Sequence, residues 1–405
     1  MEDIQTVSKV RIRYAIFAFF IAQGLCFASW ASRLPDIKTN FGIDDLSHFG
    51  YLLLLIPIGK FIAIPIVGFL LQRLKSKVTT QISLIGFVLS LFFVGVISGI
   101  TTGGIPILGA LLFLFGMFWN MTDISLNTQA IEVERMYDRP IIATFHASWS
   151  LAACIGALIG FVMLNLNISI FYHFVIMAFA TLTLVLSNKK YLREDTATIK
   201  EEIKQENTSP KRKFGLPETI LIQLGIVWLI ALVIENTMFE WSDIYFQSVI
   251  KAPKSLQIGF LVFMVMMFTG RMLTNVAYKA FSKATVLQIA GVCIFVGFFT
   301  SSLLIGFVDS MTAKVVVNSV GFMLIGLGIS CIVPTLYSIV GEKVSMPVGT
   351  ALTIMSSISF VGPFLSPLLV GEISERFGMQ YAYMVIGVFG LCIVAMAWGL
   401  NRKKG

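Results

Sequence analysis

The sequence predicts an all-α membrane protein of twelve transmembrane helices in two pseudo-symmetric six-helix bundles, on three observations. The 405 residues are 57% hydrophobic and 13% charged, with a mean hydropathy of +0.86, far too apolar for a soluble chain of this length. Apolar runs recur along the whole chain, each near or beyond the ~20 residues a spanning helix needs. Trp30, Gly59 and Lys60 return 211 positions later as Trp241, Gly270 and Arg271, as a duplicated bundle requires.

The runs are drawn at 12–34, 46–72, 78–98, 102–134, 140–166 and 168–187, then 217–249, 254–280, 284–305, 311–342, 346–373 and 378–401. The first follows Lys9, Arg11 and Arg13 as a signal peptide would, but it is long, has no clear cleavage site and precedes eleven more, so it stays as a helix. The second contains YLLLLIPIG, apolar on every side. With no period-2 polar alternation to suggest a barrel, helices are the way to satisfy the backbone in lipid. The fourth carries Gly116, Asn120, Asp123 and Asn127 at i, i+4, i+7 and i+11, one polar stripe at helical period. The fifth repeats small residues every fourth position, Ser148, Ala152, Gly156 and Gly160, which admits a neighbouring helix closely. The eleventh carries Gly349, Gly362, Pro363, Pro367 and Gly371, residues that serve packing and bending.

Between the sixth and seventh runs the chain turns polar, with eight Lys/Arg and five Asp/Glu over residues 188–216. The domains expected are therefore a bundle over 1–187, a solvated cytoplasmic linker over 188–216 and a second bundle over 217–405. An inner N-terminus puts 22 of the 30 Lys/Arg on the inner side and 6 outside, which places both termini in the cytoplasm. The net charge of +8 comes mainly from those inner loops and forms no basic stripe interleaved with aromatics, so a nucleic-acid partner is not indicated. Five scattered cysteines without CxxC spacing suggest neither disulfides nor a zinc site.

Four stretches, ASWASRLPDI, MTDISLNTQAIEVER, FHASWSLAACIGALIG and ENTMFEWSDIYF, give the chain a resemblance over essentially its whole length to the major facilitator superfamily, in its YbjJ/MosC-like branch. The superfamily's loop between the second and third helices usually reads like G-x-x-x-D-R-x-G-R-K; here Gly68, Arg73 and Lys77 match, while Gln72 and Lys75 stand for the usual Asp and Gly. Glu132, Glu134 and Arg135 could supply the inner charge lock in place of that Asp. The resemblance implies a secondary transporter of a small solute in a bacterial inner membrane, without settling the solute or the direction.

Ionisable side chains inside the runs are the candidate machinery. Each costs roughly 2.5 to 3.5 kcal/mol at the bilayer centre, so Lys60, Asp123, Glu235 and Arg271 must face one another or a wet cavity. Glu235 and Asp123 are proton-coupling candidates, with His146 a weaker third that could titrate near neutral pH. A static salt bridge from Glu235 to Lys60 or Arg271 is the competing reading. Lys60 and Arg271 occupy corresponding positions of the two repeats and, with Asn120 and Asn127, are candidates for substrate or ion-pair contacts. The amides fit an interhelical hydrogen-bond seam equally well. Trp30 and Trp241 read singly as interfacial anchors and as a matched pair as a gate. Arg33, Asp36, Glu240 and Asp243 read as surface or mouth charges, and His48 and His173 as peripheral.

There is no HExxH, GxxxxGK[ST] or GxSxG motif, so no enzyme, cofactor, metal or ATP-driven pump is expected. The partners expected are a small-molecule solute, protons and the lipid bilayer, and the protein is expected to be a monomer. Sugar-like uptake and export of a metabolite or drug both fit; a ligand-sensing receptor with the same fold is the reading from another class.

Overall fold

The computed structural model describes residues 9–100, 104–137, 141–193, 219–344 and 348–402. The expected linker lies outside the described residues from position 194 onward. The described residues are helical, without strands, and form α1 (Lys9–Ala31), α2 (Leu34–Asn40), α3 (Leu46–Leu53), α4 (Leu55–Ile100), α5 (Ile105–Glu134), α6 (Ile142–Asn165) and α7 (Ile170–Asn188), then α8 (Thr219–Ser248), α9 (Gly259–Ala280), α10 (Lys283–Leu303), α11 (Met311–Lys343), α12 (Val348–Ser359), α13 (Gly362–Phe377) and α14 (Met379–Arg402).

Eleven stretches among them are long and apolar enough to cross a bilayer. One, Leu46–Gly99, has 54 residues, more than twice what a bilayer core accommodates as helix. Its axis breaks at Lys75, where the backbone leaves helical space at φ 64° and ψ 169°. It is therefore two passes, and the described residues make twelve. Buried Gln129 braces this turn: its Nε2 donates to Ser76 Oγ (2.6 Å) and to Arg193 O beyond α7 (2.8 Å). The eleventh run is likewise two helices, α12 and α13, because Gly362 and Pro363 interrupt the hydrogen-bond ladder after Phe360. Large side chains such as Phe61, Phe69, Leu158, Phe179 and Val316 are exposed, as lipid-facing positions must be.

The chain divides into two compact units, residues 1–42 with 55–213, and residues 43–54 with 214–405. In the first, α1 packs on α6 and α7, and α4 on α5 and α7. The stripe expected on the fifth run is used here: a Cβ on Gly24 would lie 2.6 Å from Trp149 O and 3.1 Å from Ala152 Cβ, and one on Gly156 would meet Ala28 at 2.7 Å. In the second unit, α8 packs on α12, α13 and α14, α9 on α11, and α10 on α14 and α11. With the helices taken in order, each unit repeats the other's pairing. Close crossings recur as well: a side chain at Gly59 would strike Phe113 O and one at Gly116 would strike Ile56 O, while Gly270 meets Ser330 and Gly326 meets Phe263 O. The second unit also holds α3, whose Gly50 abuts Pro367 and whose Leu46 N donates to Glu375 Oε2 (2.8 Å).

Candidate functional site

Two polar clusters sit inside apolar helices, one in each unit. In the first unit the fourth-run stripe divides between two neighbours. Gly116 and Asn120 face α4, where Asn120 Nδ2 donates to the carbonyl of Lys60 at 2.7 Å. Asp123 faces α1 and accepts from Gln23 Nε2 at 2.7 Å. Asn127 turns back on its own helix and donates to Asp123 O at 2.8 Å. Asn120 is thus part of an interhelical seam.

Lys60 projects onto an aromatic wall. Its Nζ lies 3.3 Å from the Trp119 ring centroid, and Trp119 packs in turn against Phe27 (4.9 Å) and Phe87 (6.0 Å). Phe27 continues to Trp149 on α6, stacked at 5.5 Å. His146, one turn before Trp149, meets Phe20 edge-on at 5.2 Å. Among the described residues, Lys60 and His146 are the charged or titratable side chains that act electrostatically on Asp123. Trp30 packs under this wall against Phe115 at 5.5 Å.

In the second unit, Glu235 on α8 pairs with Arg271 on α9, Oε1 to Nη2 at 3.4 Å. The two side chains are 16% and 32% exposed. Trp241, two turns along α8 from Glu235, is buried and edge-on to Phe49 at 5.9 Å.

Several outer residues are deeper than their sequence suggests. Trp30 and Trp241 are 2% and 0% exposed, so both rings are packed inside the protein rather than presented to lipid or water. Arg33 is buried, donating to Ile168 O (2.8 Å) and pairing with Asp36 (2.9 Å), rather than a surface charge. Burial lowers its proton affinity and Asp36 opposes that shift. Asp243 is a helix-start acceptor, taking the Phe260 N–H at 2.8 Å, not a solvated mouth charge. Of the two histidines read as peripheral, His48 is exposed and His173 is fully buried. Glu134 is engaged at the start of α6, accepting from Ile141 N (2.6 Å) and Ile142 N (2.8 Å).

Sequence reasoning missed two members of the first cluster, Gln23 and Trp119. Gln23 sits among apolar residues with no periodic polar partner on its own helix, whereas Trp119 lies one turn before Asp123 on α5 and could have been read from that spacing. The one available signal for Gln23 is that an amide inside a spanning helix needs a partner across a helix contact.

This is a multi-pass helical membrane protein whose two units repeat one packing plan and each hold ionisable groups within spanning helices. No family model matches the chain. Curated relatives match over nearly full length: an uncharacterized transporter, y4wD, of Sinorhizobium fredii (27% identical, 94% of this chain and 96% of the relative), and an uncharacterized MFS-type transporter of Yersinia pestis (28%, 95% and 94%). The membrane protein MosC of Rhizobium meliloti is 24% identical over 98% of this chain and 91% of its own. Among solved structures, a D-xylose-proton symporter superposes with a TM-score of 0.74 at 13% identity, covering 96% of this chain and 97% of that one. The nucleoside transporter NupG gives 0.69 at 14%, covering 96% and 100%. Over nearly its whole length the chain is similar to curated membrane transporters, one of them MFS-type, and it shares its fold with solved membrane transporters.

Proposed function

We propose that the protein moves a small polar organic solute across a bacterial inner membrane by alternating access, coupled to protons through Glu235 with help from Asp123. The observation that carries this reading is the presence of acid and base inside spanning helices of both units, Asp123 and Lys60 in the first and the ion pair of Glu235 and Arg271 in the second. A purely structural helix contact has little use for such groups, because each is expensive to keep in lipid and small or apolar residues pack as well. A carboxylate beside a cation is a two-state element: taking up a proton removes one charge and weakens the pair.

The aromatic wall of Phe27, Trp119 and Trp149 beside Asp123, Lys60 and His146 supplies flat apolar faces together with hydrogen-bonding groups. That combination suits a sugar-like solute, and one structural neighbour is a xylose-proton symporter. Asn127 and Trp241 flank the two clusters and are assigned supporting contacts, and His146 a secondary proton contact. The protein works as a monomer of two bundles, 1–187 and 217–405, joined by a cytoplasmic linker over 188–216, with both termini cytoplasmic.

The test is reconstitution in liposomes loaded with a pH-sensitive dye, challenged with sugars, amines and organic acids. Solute-dependent proton movement that is lost in Glu235→Gln establishes coupling. Solute flux without proton movement would remove the coupling, and no flux under any gradient would favour a receptor.

A further inference from the structure

Gln23 is fully buried, and its amide is only half used. Its Nε2 donates to Asp123 Oδ1 at 2.7 Å, while its Oε1 is buried without a hydrogen-bond partner. A buried amide oxygen left unsatisfied is uncommon and unfavourable, and this one belongs to the same planar group that already holds the acid. An ionised carboxylate can only accept, so it offers nothing to that oxygen. A protonated one can. The two heavy-atom pairs, amide N and O against carboxyl O and O, have closely matched spacing, and the last torsion of a glutamine is broad enough to bring both into register.

We propose that Gln23 is the proton-state partner of Asp123: the amide holds the ionised acid by one bond, and when a proton from water reaches Asp123 Oδ2 the new O–H donates to Gln23 Oε1, closing a two-bond ring. This rests on the reading of Asp123 as a proton-coupling group. Only a proton is transferred, and the carboxylate becomes the neutral acid. Among the described residues, the charged or titratable groups that act on Asp123 from the helices around it are Lys60 on α4 and His146 on α6, and α1 contributes the neutral Gln23. The ring gives the neutral acid a full set of partners at the point where it loses its attraction to Lys60. Gln23 is a positioning residue that makes both protonation states of Asp123 acceptable inside the bundle.

The test is infrared difference spectroscopy of the full-length protein in lipid, titrated with acid. The expected result is a protonated-carboxyl stretch that grows as pH falls, is absent in Asp123→Asn, and moves to higher frequency in Gln23→Met, where both hydrogen bonds are gone. With carbon-13 glutamine in the otherwise unaltered protein, an amide band should shift in step with that stretch. This arm needs no variant to fold. An Asp123 band at the same frequency in Gln23→Met, glutamine bands silent while Asp123 titrates, or no Asp123 band at any accessible pH would each overturn the assignment. The liposome assay separates this from the coupling reading. Proton movement that persists in Asp123→Asn would sink the role of Asp123 in transport while leaving the ring intact.

Discussion

The ammonium nitrogen of Lys60 sits 3.3 Å from the centre of the Trp119 ring. A cation over an indole face is stabilised by about 2 kcal/mol or more when desolvated, and tryptophan provides the strongest such face. The aromatic ring therefore positions Lys60 as well as packing α5. We expect a graded loss of solute flux: Trp119→Phe weakened, Trp119→Leu lower still by up to about thirtyfold, the rate equivalent of ~2 kcal/mol. Equal flux in the two variants would show that the ring's face does not hold the lysine.

Glycine crossings give a ranked stability prediction. A Cβ at Gly59 would collide with the backbone carbonyl of Phe113, which cannot move without shifting α5. At Gly270 the first obstacle is the Ser330 hydroxyl, which can rotate away, and at Gly68 nothing lies within 4 Å. Gly59→Ala should therefore destabilise by about 1–3 kcal/mol, Gly270→Ala by less, and Gly68→Ala should be neutral or gain up to ~1 kcal/mol of helix propensity. Thermal unfolding of the solubilised protein reads the order directly. Gly59→Ala melting with the unaltered protein would mean that the crossing is looser than its geometry.

Hydropathy made the spanning segments legible because lipid imposes a length on every helix, and that constraint is local in sequence. It placed the break at Lys75 in the gap between the second and third runs, where Gln72, Arg73, Lys75 and Lys77 interrupt the apolar pattern, but it could not separate α12 from α13, which depends on backbone conformation inside a continuous apolar run. The ionisable residues were legible for the same local reason, their expense in lipid. Their partners were not. Asn120 and Asp123 share one stripe, yet one reaches Lys60 on α4 and the other Gln23, a hundred residues earlier on α1. Helical period identifies a face of a helix but not which neighbour covers it. The same limit hid the burial of Trp30 and Arg33, which sequence position alone placed at the membrane surface.

Lys75 occupies a conformation that glycine adopts freely and other residues reach at about 1–3 kcal/mol. The superfamily's loop usually has glycine there. Lys75→Gly should raise the unfolding midpoint by relieving that strain, although added freedom of the unfolded chain offsets part of the gain. Lys75→Ala removes the charge without relieving the backbone and should give no such increase. If alanine stabilised as much as glycine, charge rather than conformation would be the cause.

Glu235 and Arg271 allow stability to be separated from coupling. Removing one partner of a buried pair costs about 3–5 kcal/mol because the other charge is stranded, and the partial exposure of these two side chains places the cost below that range. Glu235→Gln alone should therefore melt early, and Glu235→Gln with Arg271→Gln should recover most of the loss, since no unpaired charge remains. The double variant then distinguishes the two roles open to the acid. If Glu235 only neutralises Arg271, removing both charges restores transport together with stability. If it carries the proton, the double variant folds well and solute-dependent proton movement stays absent, because no carboxylate remains at that position to be protonated.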